Sequence, residues 1–235
     1  MPALTRRADA GKEGETMKYN VILADPPVPF ETWGKRPGGI DSRAAEAHYD
    51  TMTWANLNAL GPAIEAVAAP DACLFLWMCQ PLLIETLEMA RAWGWSYKTK
   101  AFTWVKTYVG SPSSFFVGMG YWTRANTEDV LLFTRGNPHR TSKRVYQVLA
   151  TLETPAVIAP MTRHSEKPDE VQDRIERLVD GPYLELFARR RRPGWDCVGW
   201  ELDGMDIRDS LACLVADEAL PVVRPATAQA VMELV

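Results

Sequence analysis

The 235-residue sequence has few of the residues that mark a disulfide-stabilised or zinc-binding protein. It contains four cysteines and three histidines, and no two cysteines have the Cys-x-x-Cys spacing of a zinc ribbon or redox centre. The longest apolar run, from Ala72 to Cys79, is far below the roughly 20 residues that a membrane helix needs. The N-terminus has no apolar segment typical of a secretion signal. We therefore expect a cytoplasmic protein with reduced thiols and without a metal or membrane partner.

An excess of positive charge is also missing. The 26 Lys and Arg residues are outnumbered by 30 Asp and Glu residues, which leaves a net charge of -4. This balance excludes a polycation that coats nucleic acid, so any nucleic-acid contact must come from a local basic patch. Hydrophobic residues make up 47% and charged residues 24% of the chain, which is typical of a globular protein and argues against disorder.

The hydrophobic pattern divides the chain into three parts. Residues 1–16 have no hydrophobic period, and we predict a disordered N-terminal extension there. Residues 17–205 contain short apolar runs that alternate with amphipathic stretches. This alternation predicts an α/β domain with a mostly parallel sheet and helices on both faces. Residues 206–235 are interpreted as a C-terminal tail that contains one possible helix.

Strands and helices can be placed approximately from these patterns. Buried strands are predicted at 19–24, 72–78, 95–105, 129–134, 155–160 and 183–188. Helices are predicted at 53–69, 80–93 and 168–180, and long polar loops at 28–50 and 106–119. In sheets of this kind, ligands bind beyond the carboxyl ends of the strands. Two of these ends carry unusual chemistry: Asp25-Pro26-Pro27 and the run from Arg189 to Arg192.

The Asp25-Pro26-Pro27 tripeptide has two interpretations. It can be a simple turn, because Asp starts turns and Pro ends strands. It can also bind the exocyclic amine of an aromatic base, which donates two hydrogens. The Asp25 carboxylate can accept one hydrogen, and a carbonyl fixed by the prolines can accept the other. Such a site would favour attack of the amine nitrogen on a methyl group.

At this point the sequence resembles a known family. The motif Ala24-Asp25-Pro26-Pro27 is similar to that of the adenine-N6 methyltransferases related to the catalytic subunit of the eukaryotic mRNA methyltransferase. Further segments resemble the family in the same order, at 48–52, 74–77, 104–107, 118–138, 164–170, 184–189 and 194–195. The resemblance covers roughly residues 17–204. It implies a Rossmann-like fold that uses S-adenosylmethionine as its cofactor.

The resemblance also implies roles for the charged residues. Asp25 would contact both the amino end of the cofactor and the substrate amine, with Pro26, Pro27 and Val28 completing the catalytic loop. Lys167 would pair with the methionine carboxylate, although a lysine before a helix is otherwise usually solvated. Glu185 and Arg189 lie at the two ends of one predicted strand, and Arg189 would reach the cofactor ribose.

Four further residues are placed at the cofactor site by the same resemblance. Phe187 would line the pocket, although a strand phenylalanine is more often part of a core. His164 is either a hydrogen-bonding residue at a helix entry or a site residue. Trp200 and Glu201 match the positions that close over the nucleoside of the cofactor.

Two positions depart from the family pattern. The Asp-Pro-Pro motif is usually followed by an aromatic residue, usually Trp, which stacks on the extruded target base, and here Val28 follows it. Phe30 or Trp33 could supply the missing ring. Trp200 stands where the family usually has Asn, and its indole could either stack on the cofactor or block it.

The sequence leaves the substrate partly open. The run Arg189–Arg192 is the clearest basic cluster, and we expect Arg190, Arg191 and Arg192 to lie near the mouth of the site. Arg36 and Lys106 could add phosphate contacts. We predict a DNA adenine methyltransferase, because a lone catalytic domain of this kind resembles bacterial and phage enzymes. RNA adenine or cytosine-N4 methylation remains an alternative, as does a non-catalytic member that binds nucleic acid or a partner subunit. A homodimer is also possible.

Overall fold

The computed structural model describes residues 17–29, 51–108, 111–115, 122–149 and 167–218. The predicted extension at 1–16 and the predicted strand at 155–160 lie outside the described residues. The strands are β1 (Tyr19–Ala24), β2 (Ala68–Met78), β3 (Ser96–Val105), β4 (Thr107–Tyr108), β5 (Ser111–Phe115), β6 (Thr127–Arg135), β7 (Val148–Leu149), β8 (Tyr183–Leu186) and β9 (Trp195–Val198). The helices are α1 (Trp54–Asn58), α2 (Gly61–Val67), α3 (Leu83–Ala92), α4 (Glu170–Leu178), α5 (Trp200–Asp203) and α6 (Ile207–Val215).

A seven-stranded sheet in the order β7-β3-β6-β2-β1-β8-β9 forms the centre of the described fold. β1 runs parallel to both β2 and β8, β8 is parallel to β9, and β3 is parallel to β7. Only β6 runs against its neighbours, β2 and β3. The prediction of a mostly parallel sheet is therefore confirmed. β1 lies inside the sheet, and its carboxyl end faces the edge where ligands bind in such folds.

Alternating side chains of the strands form a core on each face of the sheet. On one face, Ile22 and Leu74 pack with the buried residues of α1, α2, α3 and α6. On the other face, Val21 and Phe75 pack with Val171 and Ile175 of α4. This alternation follows from the period of two in a strand and explains why the buried stretches of β1 and β2 carry apolar residues on both faces. Helices on both faces are thus confirmed.

The helix predicted at 53–69 is two helices in the structure. Thr53 is the N-cap of α1, as expected, and its hydroxyl accepts a hydrogen bond from the Asn56 N–H. The helix ends before Gly61, because Pro62 cannot donate the next helical hydrogen bond and its ring disfavours the preceding helical backbone. A side chain at Gly61 would also place its Cβ 2.7 Å from the Ala92 carbonyl oxygen. The break therefore lets α2 pass close to the end of α3.

Two further elements differ from the prediction, and the helix predicted in the tail is present. The predicted loop 106–119 contains the paired strands β4 and β5. The strand predicted at 183–188 ends at Leu186, because Phe187 has a φ of 62°, which is incompatible with a strand. In the tail, Asp206 caps α6, whose buried residues Ile207 and Leu211 belong to the core. Within the described ranges, none of the helices has the length and apolar character that a bilayer crossing requires.

Candidate active site

The Asp25-Pro26-Pro27 loop leaves the sheet at its interior. Ala24, the last residue of β1, pairs with Leu76 of β2 on one side and Leu186 of β8 on the other. The Pro26 carbonyl accepts the Val28 N–H at 2.8 Å, and the Pro27 carbonyl accepts the Met52 N–H at 2.8 Å. These bonds fix the direction of both carbonyls. Each oxygen retains a second lone pair that can accept another hydrogen.

Lys167 lies between two carboxylates in front of this loop. Its Nζ is 2.9 Å from Asp25 Oδ2 and 3.3 Å from Glu128 Oε2. Only 17% of its side chain is exposed. Burial alone would lower the pKa of Lys167, but the Asp25 and Glu128 carboxylates outweigh burial and raise it above its ordinary value. Lys167 is therefore a fixed positive charge beside Asp25.

Glu128 links Lys167 to a second ammonium group. Lys106 forms both a hydrogen bond and an ion pair with Glu128 Oε1. Burial alone would raise the pKa of Glu128, but the charges of Lys167 and Lys106 hold it below its ordinary value. The chain Lys106–Glu128–Lys167–Asp25 thus alternates in sign and has no net charge, which reduces the cost of burying four ionised groups.

Two tryptophans lie beneath the two ammonium groups. Lys167 Nζ is 5.2 Å from the centre of the Trp77 ring, and Lys106 Nζ is 5.1 Å from the Trp104 ring. The two rings meet edge to face, with centroids 6.2 Å apart. The negative faces of such rings attract cations, typically by 0.5–2 kcal/mol each. The aromatic pair therefore helps to hold both lysines at the carboxyl edge of the sheet.

Glu185 is a second acidic group near Asp25, on the neighbouring strand. It pairs in register with Leu23, two residues before Asp25. Gln172 of α4 donates a hydrogen bond to its Oε2 at 2.7 Å. Burial, together with the negative charge of Asp25, raises the pKa of Glu185 to about 7. The protonated form is therefore populated near neutral pH, and in that form the carboxyl group can donate as well as accept a hydrogen bond.

The loops after β8 and β9 meet at one point. The Ala188 N–H donates to the Val198 carbonyl at 2.9 Å. A Cβ at Gly199 would lie 2.3 Å from the Ala188 carbonyl oxygen, so only glycine permits this approach. Arg189 Nε then lies 3.3 Å from Glu201 Oε1 at the start of α5. The structure thereby joins two residues that the sequence assigned to the same cofactor site.

Phe187 and Trp200 flank this junction. Phe187 is half-buried against the core and has a positive φ of 62°, a conformation that costs a phenylalanine of the order of 1–3 kcal/mol. Strain of this kind concentrates at functional sites. Trp200 is 67% exposed, so its indole is not part of the core.

The structure places the predicted nucleic-acid residues in different environments. Lys106 lies inside the site, because Glu128 holds it there. Arg190 is ion-paired with Asp169 and donates to the Lys167 carbonyl at 2.9 Å. Arg191 is exposed. Arg36 lies outside the described residues, as does His164 of the predicted cofactor site. In the described ranges, no group of three or more His, Cys, Asp or Glu side chains is arranged to hold a metal ion.

Sequence reasoning gave no separate role to four residues at the site: Glu128, its neighbour Asp129, Trp77 and Gln172. Glu128 and Asp129 are consecutive acids at the start of the apolar strand β6, and such a pair in a strand signals buried partners. Trp77 is the penultimate residue of the buried strand β2, and its ring faces Lys167. Gln172 is a buried amide of α4 beside the apolar residues Val171 and Ile175. For Glu128, Asp129 and Gln172, a polar residue within an apolar strand or helix was the sequence signal that could have identified them.

Together, the Rossmann-like sheet and the Asp-Pro-Pro loop with its paired lysine define a methyltransferase. The family model of MT-A70 matches residues 19–201, and the chain belongs to the MT-A70 family.

Curated relatives of two kinds share this domain. The type II methyltransferase M.MunI of Mycoplasma sp is 33% identical over 202 residues, which cover 79% of this chain and 78% of that protein. The human N(6)-adenosine-methyltransferase catalytic subunit METTL3 is 28% identical over 195 residues, covering 82% of this chain. The fruit-fly MT-A70-like N(6)-adenosine-methyltransferase is also 28% identical. The chain spans only 30% and 28% of these two longer proteins.

Proposed function

We propose that the protein transfers a methyl group from S-adenosylmethionine to N6 of adenine in DNA. The observation that carries the proposal is the ion pair of Asp25 with Lys167, formed directly beyond the carboxyl end of β1. The carboxylate and the ammonium group lie 2.9 Å apart, and both are partly accessible. The pair presents one negative and one positive group at the edge where ligands bind to such sheets.

The residues present fit the proposed cofactor. Its methionine end carries one ammonium and one carboxylate group, which complement Asp25 and Lys167 in charge. Glu185 can accept a hydrogen bond from a ribose hydroxyl through a carboxyl oxygen. The apposed Arg189 and Glu201 offer a donor and an acceptor for the same ribose.

Three proposed cofactor residues remain: Phe187, Trp200 and His164. Phe187 and Trp200 would contact the nucleoside, and the exposed Trp200 indole can stack on its base. His164 keeps its proposed place at this site from the family pattern alone.

The Asp25-Pro26-Pro27 loop would orient the substrate amine. When bound, the cofactor supplies a methyl group that its sulfonium already activates. Asp25 Oδ would accept one amine hydrogen, and the free lone pair of a proline carbonyl would accept the other. Both contacts disfavour the planar amine and direct the nitrogen lone pair towards the methyl group. The proton released after transfer goes to Asp25 or to water.

Val28 is the weakest feature of the proposed catalytic loop. It is half-buried and packs against the core, and valine has no ring on which an adenine can stack. Base stacking on an aromatic side chain contributes about 1–3 kcal/mol. Its absence would weaken base capture roughly 5- to 150-fold. This departure favours a second candidate, a non-catalytic family member that binds nucleic acid or a partner subunit.

The preference for DNA rests on the similarity to the bacterial type II methyltransferase M.MunI. The chain is 33% identical to M.MunI over 202 residues, and 28% identical to the human adenosine methyltransferase over 195 residues. RNA adenine and cytosine N4 are therefore the substrates to test second.

The experiment supplies methyl-labelled S-adenosylmethionine with unmethylated duplex DNA, with single-stranded RNA in a parallel reaction. Labelled nucleosides are identified by mass spectrometry. We expect N6-methyladenine in DNA from the natural protein, and a rate at low DNA concentration that is roughly 5- to 150-fold higher for Val28→Trp. Asp25→Asn is the matched control, because it keeps the shape of the loop and removes its charge, and it should be inactive. Label in cytosine, label only in RNA, or no label with any protein would contradict the proposal.

A further inference from the structure

Residues 139–147, here termed the basic segment, form a charged surface that the proposed site does not use. The segment joins β6 to β7, and the sequence has no acidic residue between Asp129 and Glu153. Arg140, Lys143 and Arg144 are all exposed. None of these three cations forms an ion pair with the described residues. In a chain with a net charge of -4, such a surface is exceptional.

The backbone of the basic segment is fixed from both sides. At its start, the Thr141 N–H donates to the Leu178 carbonyl at 2.9 Å. At its end, Arg174 Nη1 donates to the Tyr146 carbonyl at 2.6 Å and to the Val148 carbonyl at 3.0 Å. Gln147 bonds to β3 through both its backbone carbonyl and its side chain. These bonds hold both ends of the segment against α4 and β3, while the side chains of Arg140, Lys143 and Arg144 are exposed.

The acidic residues next to the basic segment are already neutralised. A groove of about 660 Å³ separates the segment from α4, and Glu170, Asp173 and Glu176 line its far wall. Arg174 and Arg177 pair with Glu170, and Arg192 pairs with Asp173 and Glu176. The positive charge of the segment is therefore a surplus that can act on an external partner.

The segment also leads towards the candidate active site. It ends in β7, whose residues pair with Thr103 and Trp104 of β3. β7 lies four strand positions from β1, or about 19 Å at the usual strand spacing of ~4.8 Å. Along a B-form duplex this distance corresponds to roughly six base pairs, at 3.4 Å per nucleotide of one strand. A nucleic acid with its target base at Asp25 would thus bring phosphates within reach of the segment.

We propose that the basic segment binds the phosphate backbone of the nucleic-acid substrate, several nucleotides away from the target base. This inference rests on the proposed function, because that function supplies the nucleic acid. Arg140, Lys143 and Arg144 neutralise phosphates. Tyr146, which is 78% exposed, contacts a sugar or a base beside them. The segment thereby takes the place of Lys106, which Glu128 holds inside the site.

The test compares two triple variants of the full chain. Arg140→Gln/Lys143→Gln/Arg144→Gln removes three charges from the segment. Lys18→Gln/Arg91→Gln/Arg208→Gln removes three exposed charges elsewhere and is the matched control. Binding of a fluorescent 30-base-pair duplex and of a single-stranded RNA is measured between 50 and 200 mM salt. S-adenosylmethionine binding and thermal unfolding are measured for every protein.

The segment variant should bind nucleic acid more weakly at low salt. Its plot of log association constant against log salt concentration should become shallower, with the slope smaller in magnitude by up to about 2.7, or ~0.9 per lost phosphate contact. The KM for nucleic acid should rise while kcat and cofactor binding stay unchanged. The control should match the natural protein. Arg140→Lys/Arg144→Lys should restore most of the slope, because the charge is retained.

Each contrary result has a separate meaning. If the natural protein methylates DNA and the segment variant keeps its affinity and slope, the inference is overturned and the proposed function stands. If the natural protein binds neither nucleic acid, both are overturned. Equal losses in the segment variant and the control, or a loss that the lysine variant does not restore, would also overturn the inference. Capture of an acidic protein by the segment with unchanged nucleic-acid binding would do the same.

Discussion

Replacing Lys167 with methionine removes the central cation of the ion-pair chain and keeps most of its volume. The substitution leaves Lys106 as one ammonium group facing two carboxylates, Asp25 and Glu128, so the cluster acquires a net negative charge. Breaking a fully buried ion pair costs about 3–5 kcal/mol. Because 17% of the Lys167 side chain is exposed, we expect a smaller loss in the free energy of unfolding, of about 2–4 kcal/mol.

A second substitution separates charge imbalance from lost packing. In Lys167→Met/Glu128→Gln, the remaining Lys106 and Asp25 balance each other, so the double variant should be more stable than Lys167→Met alone. The four proteins of this cycle are compared by urea unfolding at pH 7, which gives the coupling energy between the two positions. Cofactor binding, in contrast, should be lost in both Lys167 variants, because the proposed partner of the methionine carboxylate is missing from each.

Two results would refute this reasoning. A loss below about 1 kcal/mol in Lys167→Met would place the lysine in the range of an ordinary surface pair. A double variant less stable than Lys167→Met would show that the two carboxylates do not compete for one cation. Lys167→Arg serves as the charge-preserving control and should retain most of the stability.

Two further predictions concern Glu185 and the turn glycines. The pKa of Glu185 is raised to about 7 in the folded protein. The folded state therefore binds more protons than the unfolded state between about pH 4.5 and 7. As the pH rises through this window, Glu185 lowers the free energy of unfolding by about 3 kcal/mol in total. Glu185→Gln should flatten that part of the profile in urea unfolding at several pH values, and an unchanged profile would contradict the burial of the carboxyl group. Gly136→Ala should destabilise the protein by more than the ~1–2 kcal/mol of a left-handed alanine, because its Cβ would lie 2.5 Å from the Pro70 carbonyl oxygen. Gly194 also has a positive φ, but no atom lies within 4 Å of the Cβ that Gly194→Ala would add. This variant should therefore lose only the ~1–2 kcal/mol of a left-handed alanine. Equal decreases in the melting temperature of Gly136→Ala and Gly194→Ala would contradict this difference.

The sequence predicted best where local patterns decide the structure. The bounds of β1 were predicted correctly, because an apolar strand is stopped there by Asp25 and two prolines. Thr53 was recognised as a helix N-cap for a similarly local reason. The resemblance to known methyltransferases then supplied the fold and the order of the motifs. Local signals and the family pattern were therefore sufficient for the framework of the domain.

The sequence could not predict features that depend on distant contacts. The antiparallel direction of β6 follows from its pairing with β2 and β3, and no turn signal in the sequence encodes it. The partnership of Glu128 with Lys167 joins residues 39 positions apart and exists only when the sheet is assembled. The left-handed Phe187 is equally invisible, since phenylalanine usually favours extended backbone. In each case tertiary packing overrides the local preference.

The position of β1 in the sheet has a consequence for the synthesis of the chain. Among the described strands, β1 leaves the ribosome first, yet one of its two partners, β8, ends at Leu186. About 160 residues must therefore be added before that edge is paired, which takes roughly 8–32 s at 5–20 residues per second. During this time the apolar segment Tyr19–Ala24 presents open backbone hydrogen-bonding groups to other chains. We expect nascent chains that stall before residue 183 to need chaperone protection or to aggregate through this strand.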